Sequence, residues 1–298
     1  MQARIDNNQR IYEHPGRFLL RVLKGFHANQ GILLSGAVAY YTLLSIIPLF
    51  TLLLLALSHV VDETQLLATL AHYLDLVVPG KSQAVMEQIK TFLADRHVFG
   101  WVMVGALLFF SSMAFSILEN ALSVIFFHRV AIHRRHFLIS ALLPYLFILL
   151  MGLGFLVITI ISGVLQAGGS TTIALLGWQW TLGGLAGPLL YLLGLGSQIL
   201  MLTSIYMVMP VGYPSLRHAL IGGITAGLLW EIIRHGLIWY FANLSLVNVI
   251  YGSLATAIVA LLSLEIAAMI LLLGAQVIAE YERVSKGEAG DAGGKMHT

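Results

Sequence analysis

The sequence predicts an all-α membrane protein, a bundle of six transmembrane helices with both termini cytoplasmic. Three observations lead there. Of 298 residues, 58% are hydrophobic and only 10% are charged, and mean hydropathy is +0.88; a soluble domain carries about 25% charged residues. Six stretches reach the ~20 apolar residues that a spanning helix needs: Gly31–Ser58, Phe99–Phe127, Phe137–Gly163, Gly183–Met209, Leu216–Phe241 and Ile250–Ala279. Finally, the basic residues are distributed unequally between the segments that alternate across these spans.

The elements follow in chain order. Residues 1–30 form an N-terminal cytoplasmic segment. Within it, 11–30 read as a basic amphipathic helix, with Arg17, Arg21 and Lys24 on one face and Phe18, Leu19, Val22, Leu23 and Phe26 over the rest. Such a helix suits the surface of an anionic membrane; a solvated helix docked on the protein is the alternative. No short apolar core with a cleavage site precedes the first span, which is read as a retained signal-anchor. Residues 31–282 form the six-span domain. Its first outer loop, 59–98, is too long for a turn; Thr64–Val78 and Ser82–His97 show helical spacing around Pro79-Gly80 and predict a short helical pair. The tail 283–298 is Gly-, Glu- and Lys-rich and is expected to be disordered.

Orientation follows from the 16 Lys and Arg residues. With the N-terminus inside, Arg4, Arg10, Arg17, Arg21, Lys24, Arg129, Arg134, Arg135, Arg217, Arg283, Lys286 and Lys295 are cytoplasmic. Lys81, Lys90 and Arg96 are outside, and Arg234 lies within a span. Trp101, Trp178, Trp180 and Trp239 fall near outer ends, where an aromatic belt belongs.

Chemistry concentrates in the fifth stretch, where Glu231, Arg234 and His235 sit among Ile, Leu, Gly and Trp. An ionisable group at the bilayer centre costs about 2.5–3.5 kcal/mol or more, so it marks a candidate functional site. Gly223, Gly227, Glu231 and His235 recur at i+4 and share a face, which predicts close approach of a neighbouring helix. Glu265 in the last stretch lies at a depth of about 20 Å from the outer end, and Glu231 about 15 Å, counting ~1.5 Å per residue. The expectation is a polar seam between the fifth and sixth helices, with the first helix as a further candidate member, and with Arg234 paired to Glu231 or bridging to Glu265. It would bind a substrate head group or carry protons, or it would be a structural ion pair that sets helix register. In the first span, Ala37, Tyr41, Ser45 and Pro48 share a face. Pro48 removes a backbone bond, and the nearby hydroxyls are expected around the freed carbonyl, as a broken-helix site or a packing kink.

Several functions are excluded or unsupported. With no Cys there is no disulfide, thiolate nucleophile or Cys-based metal site. His128, Arg129, His133, Arg134, Arg135 and His136 lack acidic partners and read as a positive-inside anchor, not a metal site. Glu119 falls near the inner interface. There is no Walker loop, no Gly-x-Ser-x-Gly elbow and no metallonuclease His/Asp cluster. The sequence therefore predicts no enzyme, no cofactor, no metal and no nucleic-acid partner.

The run AVAYYTLLSIIP from Ala37 to Pro48, the segment Tyr206-Met207-Val208-Met209-Pro210, and a last span opening Tyr251-Gly252-Ser253-Leu254-Ala255 and closing Leu272-Leu273-Gly274-Ala275-Gln276 resemble the YihY/virulence factor BrkB family of bacterial inner-membrane proteins, some of whose members were formerly labelled ribonuclease BN. The likeness covers roughly residues 15 to 283. Gln276 stands where the family's closing motif has Glu, and Leu262-Ser263-Leu264-Glu265 stands where relatives often carry an aromatic residue. The resemblance implies the fold and the membrane, with links to envelope function and virulence. Together with the intramembrane charges it yields the expectation of a transporter or flippase-like protein for an envelope-related amphiphile or small organic ion, with membrane lipids as partners. A non-transporting scaffold for envelope assembly is the alternative.

Overall fold

The structure is a computed structural model; it describes residues 15–77, 86–91, 101–126, 183–210, 214–243 and 255–285, parts of 147–163, and the strands 172–175 and 178–181. The third predicted span lies mostly outside these residues, apart from a shorter apolar helix at Gly152–Gly163. The basic segment 128–136, the opening motif Tyr251–Leu254 and the tail beyond Ser285 also lie outside them. Five helices among the described residues are long and apolar enough to cross a membrane: Gly31–Leu57, Val102–Ile125, Gly187–Val208, Leu216–Tyr240 and Ala257–Val284. Four of these fall within predicted stretches, and the fifth, Ala257–Val284, overlaps the last one and runs past its predicted end at Ala279. The chain divides into two compact units, one of Met1–Ala39 with Ile117–Thr298 and one of Tyr40–Ser116.

In the larger unit, α1 covers Pro15–Ala28 and starts on a proline, whose fixed φ and missing amide suit a first helical turn. It ends at a corner: Gln30 adopts φ 54°, a left-handed conformation uncommon outside glycine. Gly31 follows because a side chain there would run into the Phe26 ring. The corner launches α2, Gly31–Leu57. α1 is docked on the last helix, with Val22 and Phe26 buried. This is the docked alternative for the amphipathic segment, and its consequence is taken up below.

Three long helices then follow: α5, Gly183–Val208; α6, Leu216–Asn243; and α7, Ala255–Ser285. α5 stops just before Pro210, which disfavours helical backbone in the residue ahead of it. The Ser215 carbonyl accepts from the amides of His218 (2.9 Å) and Ala219 (3.0 Å) to begin α6. α6 packs on both α5 and α7. Two rows of small residues make this possible. Gly223 and Gly227 approach Thr203 and Ile199 of α5, while Gly222 and Ala226 approach Gly274 and Ile278 of α7. An added Cβ at Gly223 would lie 3.0 Å from the Ile199 carbonyl, and one at Gly222 would lie 3.0 Å from the Gly274 carbonyl. The fully buried Tyr206 crosses between α5 and α7, its hydroxyl donating to the Leu271 carbonyl at 2.7 Å.

In the smaller unit, α3 (Glu63–Val77) and a helical segment at 86–91 fall in the long loop after the first span; the rest of the second helix predicted at Ser82–His97 lies outside the described residues. Leu54, Leu66 and Ile89 make a small core there, flanked by Val61, Leu67 and Leu70. The second span is α4, Trp101–Ile125.

One element departs from the all-α expectation. Strands β1 (Thr172–Leu175) and β2 (Trp178–Thr181) pair antiparallel, Thr172 opposite Thr181 and Leu175 opposite Trp178. The two strands are rich in β-branched and aromatic residues, as strands favour.

Candidate functional site

Glu231 lies near the middle of α6, which is a helix of 28 residues. Its Oε1 accepts from the Tyr191 hydroxyl at 2.7 Å and from Arg234 Nη2 at 2.6 Å. His235 Nδ1 lies 2.8 Å from the Glu231 carbonyl and 3.5 Å from its carboxylate. A carbonyl can only accept, so the short distance places a proton on Nδ1; in a neutral ring Nε2 is then the acceptor. The Glu231 carboxylate is mostly covered, whereas the Arg234 and His235 side chains are 43% and 63% exposed. Arg234 Nε is buried and has no hydrogen-bond partner.

This geometry corrects the predicted seam. The stripe Gly223–Gly227–Glu231 faces the fourth predicted span, α5, not the sixth. Pairing Thr203 with Gly223 and Ile199 with Gly227 fixes an antiparallel register. Continued along the helices, that register brings Glu231 to the part of α5 from which Tyr191 reaches it. The face of α6 towards α7 is the adjacent row, Gly222 and Ala226. Arg234 pairs within its own helix. Among the described residues no ion pair or hydrogen bond joins Glu265 to Arg234 or to any other group. Glu265 instead faces the first span: its Oε1 lies 3.7 Å from where a Cβ on Gly36 would be. The two carboxylates expected to share a site are thus treated separately.

The first-span site is also rearranged. Pro48 lies inside a continuous α2. Buried Ser45 does not turn to the carbonyl that Pro48 frees at Leu44. Its hydroxyl donates to the Phe110 carbonyl at 2.9 Å and accepts from the Ala114 amide at 3.2 Å, both on α4. Those are the two groups that an α-helix pairs with each other, four residues apart. Tyr41 packs edge-on against Tyr40, with ring centroids 5.3 Å apart. Of these three residues, Ser45 makes the interhelical contact, while Tyr41 packs within its own helix and Pro48 leaves the helix unbroken. Ser123 Oγ donates to the Glu119 carbonyl at 2.7 Å.

A polar cluster that the sequence reading did not single out closes the end of α7. Gln276, Glu280 and Glu282 are all buried. Asn29 Nδ2 donates to Gln276 Oε1 at 2.9 Å. Glu280 lies 3.7 Å from Arg21 Nε and 3.8 Å from Arg283 Nη1. Glu282 lies 2.9 Å from His218 Nδ1, and the His218 ring tilts over Tyr281 at 5.4 Å. A methyl on Gly25 would sit 2.5 Å from Gln276 Nε2. The available signal was the i+4 spacing of Gln276 and Glu280 opposite basic α1. Among the described residues no group of three or more His, Asp or Glu side chains could hold a metal ion.

Comparison with known proteins adds the family. The sequence pattern described as virulence factor BrkB matches residues 22–297. The chain is similar to a UPF0761 membrane protein of Azotobacter vinelandii, 28% identical over 85% of this chain and 60% of the relative. A UPF0761 membrane protein of Alkalilimnicola ehrlichii is 27% identical over 89% of this chain and 58% of the relative. One from Vibrio parahaemolyticus is 29% identical over 88% of this chain and 80% of the relative. The chain thus spans about three-fifths of the length of the first two relatives. No solved structure matches it.

Proposed function

Because the chain belongs to the virulence factor BrkB family, we propose that this membrane protein works as a transporter or flippase-like protein of the bacterial cytoplasmic membrane, moving an envelope-related amphiphile or a small organic ion. The observation that carries this reading is the unequal treatment of two carboxylates at span depth. Glu231 is compensated by Arg234 and Tyr191. Glu265 has no cation beside it among the described residues and faces a glycine of the first span. A lone carboxylate at depth is costly, and a proton, an ion or the cationic end of a substrate would relieve that cost. Gly36 leaves room on the same side. In this reading Glu265 carries the coupling charge, and the Tyr191–Glu231–Arg234 clasp, with His235 Nε2 free to accept, meets the polar end of the substrate. Both termini are cytoplasmic, on the Lys and Arg distribution, and no enzymatic step or cofactor is involved.

The test is reconstitution of the purified chain in vesicles. Proton flux is followed with a trapped pH-sensitive dye, and lipid scrambling with a head-labelled phospholipid and an external reductant. Glu265→Gln is expected to abolish proton-dependent flux while the protein elutes and melts like the parent. If Glu265→Gln and Glu231→Gln both fold normally and neither changes flux or scrambling, the transport reading fails.

The scaffold reading has its own support in the tight glycine packing of α6 against α5 and α7. It predicts no flux from the parent chain in any vesicle, and cellular phenotypes that follow the outer helices α3 and 86–91.

A further inference from the structure

α1 meets the rest of the protein with only part of its circumference. Val22 and Phe26 are buried, Arg21 turns to Glu280, and Gly25 lies against Gln276. On the remaining arc Leu19, Leu23 and Leu20 are 58%, 48% and 59% exposed. Next to them, over about 160° of the wheel at ~100° per residue, come exposed Lys24 and Arg17, with His27 among the leucines. The three basic residues that share a face by spacing are therefore divided by the fold. Arg21 is drawn inward to a carboxylate, while Arg17 and Lys24 have no ion-pair partner among the described residues.

The position of this arc decides what covers it. Only Asn29 and Gln30 separate α1 from the first candidate span, and the left-handed Gln30 turns the chain sharply there. α1 must therefore lie at one surface of the bilayer that α2 enters. At that depth leucines find acyl chains and basic side chains find phosphates. From this geometry we infer that α1 is a fixed lipid-binding edge: Leu19, Leu20 and Leu23 enter the interface, and Arg17 and Lys24 bind the phosphates of anionic phospholipid. Docking on α7 holds the helix in this rotation before lipid arrives, so no folding step accompanies binding. The inference is independent of transport and survives if the protein is a scaffold.

The chain has no native cysteine, so single labels are clean. Leu20→Cys, Leu23→Cys and Lys24→Cys variants of the full chain would carry a nitroxide and be reconstituted in phosphatidylcholine vesicles, with or without phosphatidylglycerol. Labels at 20 and 23 are expected to favour oxygen over a water-soluble relaxant, and the label at 24 the reverse. Phosphatidylglycerol should deepen the first two. Preference for spin-labelled phosphatidylglycerol over phosphatidylcholine should fall about 25-fold in an Arg17→Gln/Lys24→Gln double variant, at roughly fivefold per basic residue. Parent-like elution and melting of that variant show that the fold is intact. Equal water exposure at 23 and 24, or no effect of the anionic lipid, overturns the proposal. So does dipolar coupling between labels at 23, which would make a second copy of the chain the occupant.

Discussion

The two ends of the α5–α6 pair are built on opposite principles. Towards Met209 and Ala219, the glycines have neighbours at the limit of contact, and Ala219, Ala226, Tyr206 and Leu272 are completely buried. Towards Tyr191 and Trp239, among the described residues nothing lies within 4 Å of a Cβ added at Gly187, Gly194 or Gly236. There the contact is a polar clasp of Tyr191, Glu231 and Arg234. Helices in lipid gain little from hydrophobic association, so close packing and interhelical hydrogen bonds must hold them. One end of this pair uses the first device and the other end the second. The same face of α6 thus runs from close glycine contacts into a polar clasp on the same neighbour, α5.

Substitutions can break or sharpen this contrast. The largest effect is expected for Gly274→Leu, which drives a side chain into Tyr206 and Ala226; overpacking of this kind costs about 3 kcal/mol. The open-end counterpart, Gly194→Leu, should stay within about 0.5 kcal/mol, as surface changes do. Equal loss in detergent thermal melts would erase the distinction. Tyr206→Phe leaves the Leu271 carbonyl without its extra donor, and the same melts should show a loss of about 1–2 kcal/mol. Smaller again is Tyr191→Phe, about 0.6 kcal/mol for an interhelical hydrogen bond in a membrane protein. Its signature should instead be altered flux or scrambling in vesicles; unchanged transport beside intact transport by the parent would make the clasp structural. Ser45→Ala should cost no more than about 0.6 kcal/mol, because Phe110 and Ala114 can satisfy one another once the hydroxyl is gone.

Much of the architecture is legible in the chain. Five of the six predicted stretches coincide with or overlap candidate spans because length and hydropathy alone decide them. The apolar spacing of Thr64–Val78 likewise corresponds to α3, Glu63–Val77. Neighbour choice was not legible. α6 carries two adjacent small-residue rows, Gly222/Ala226 and Gly223/Gly227, and periodicity cannot say which row meets which helix. The Glu231 stripe meets α5, not the last span, and of the two pairings open to Arg234 the one within its own helix is found, not the bridge to Glu265. Pro48 misled for a similar reason: a freed carbonyl is visible in sequence, whereas the Phe110 and Ala114 groups that Ser45 selects are distant by chain. Gln276, Glu280 and Glu282 were hidden by position, since charges at the end of a span read as interfacial until a docked α1 covers them.

The Ser45 contact has a mechanical consequence. A hydroxyl that bridges a carbonyl and an amide four residues apart on the next helix pins α2 to the backbone of α4 through a single oxygen. Turning α2 about its axis would draw that oxygen away from both groups, yet each is the other's ordinary helical partner, so neither would be stranded in lipid.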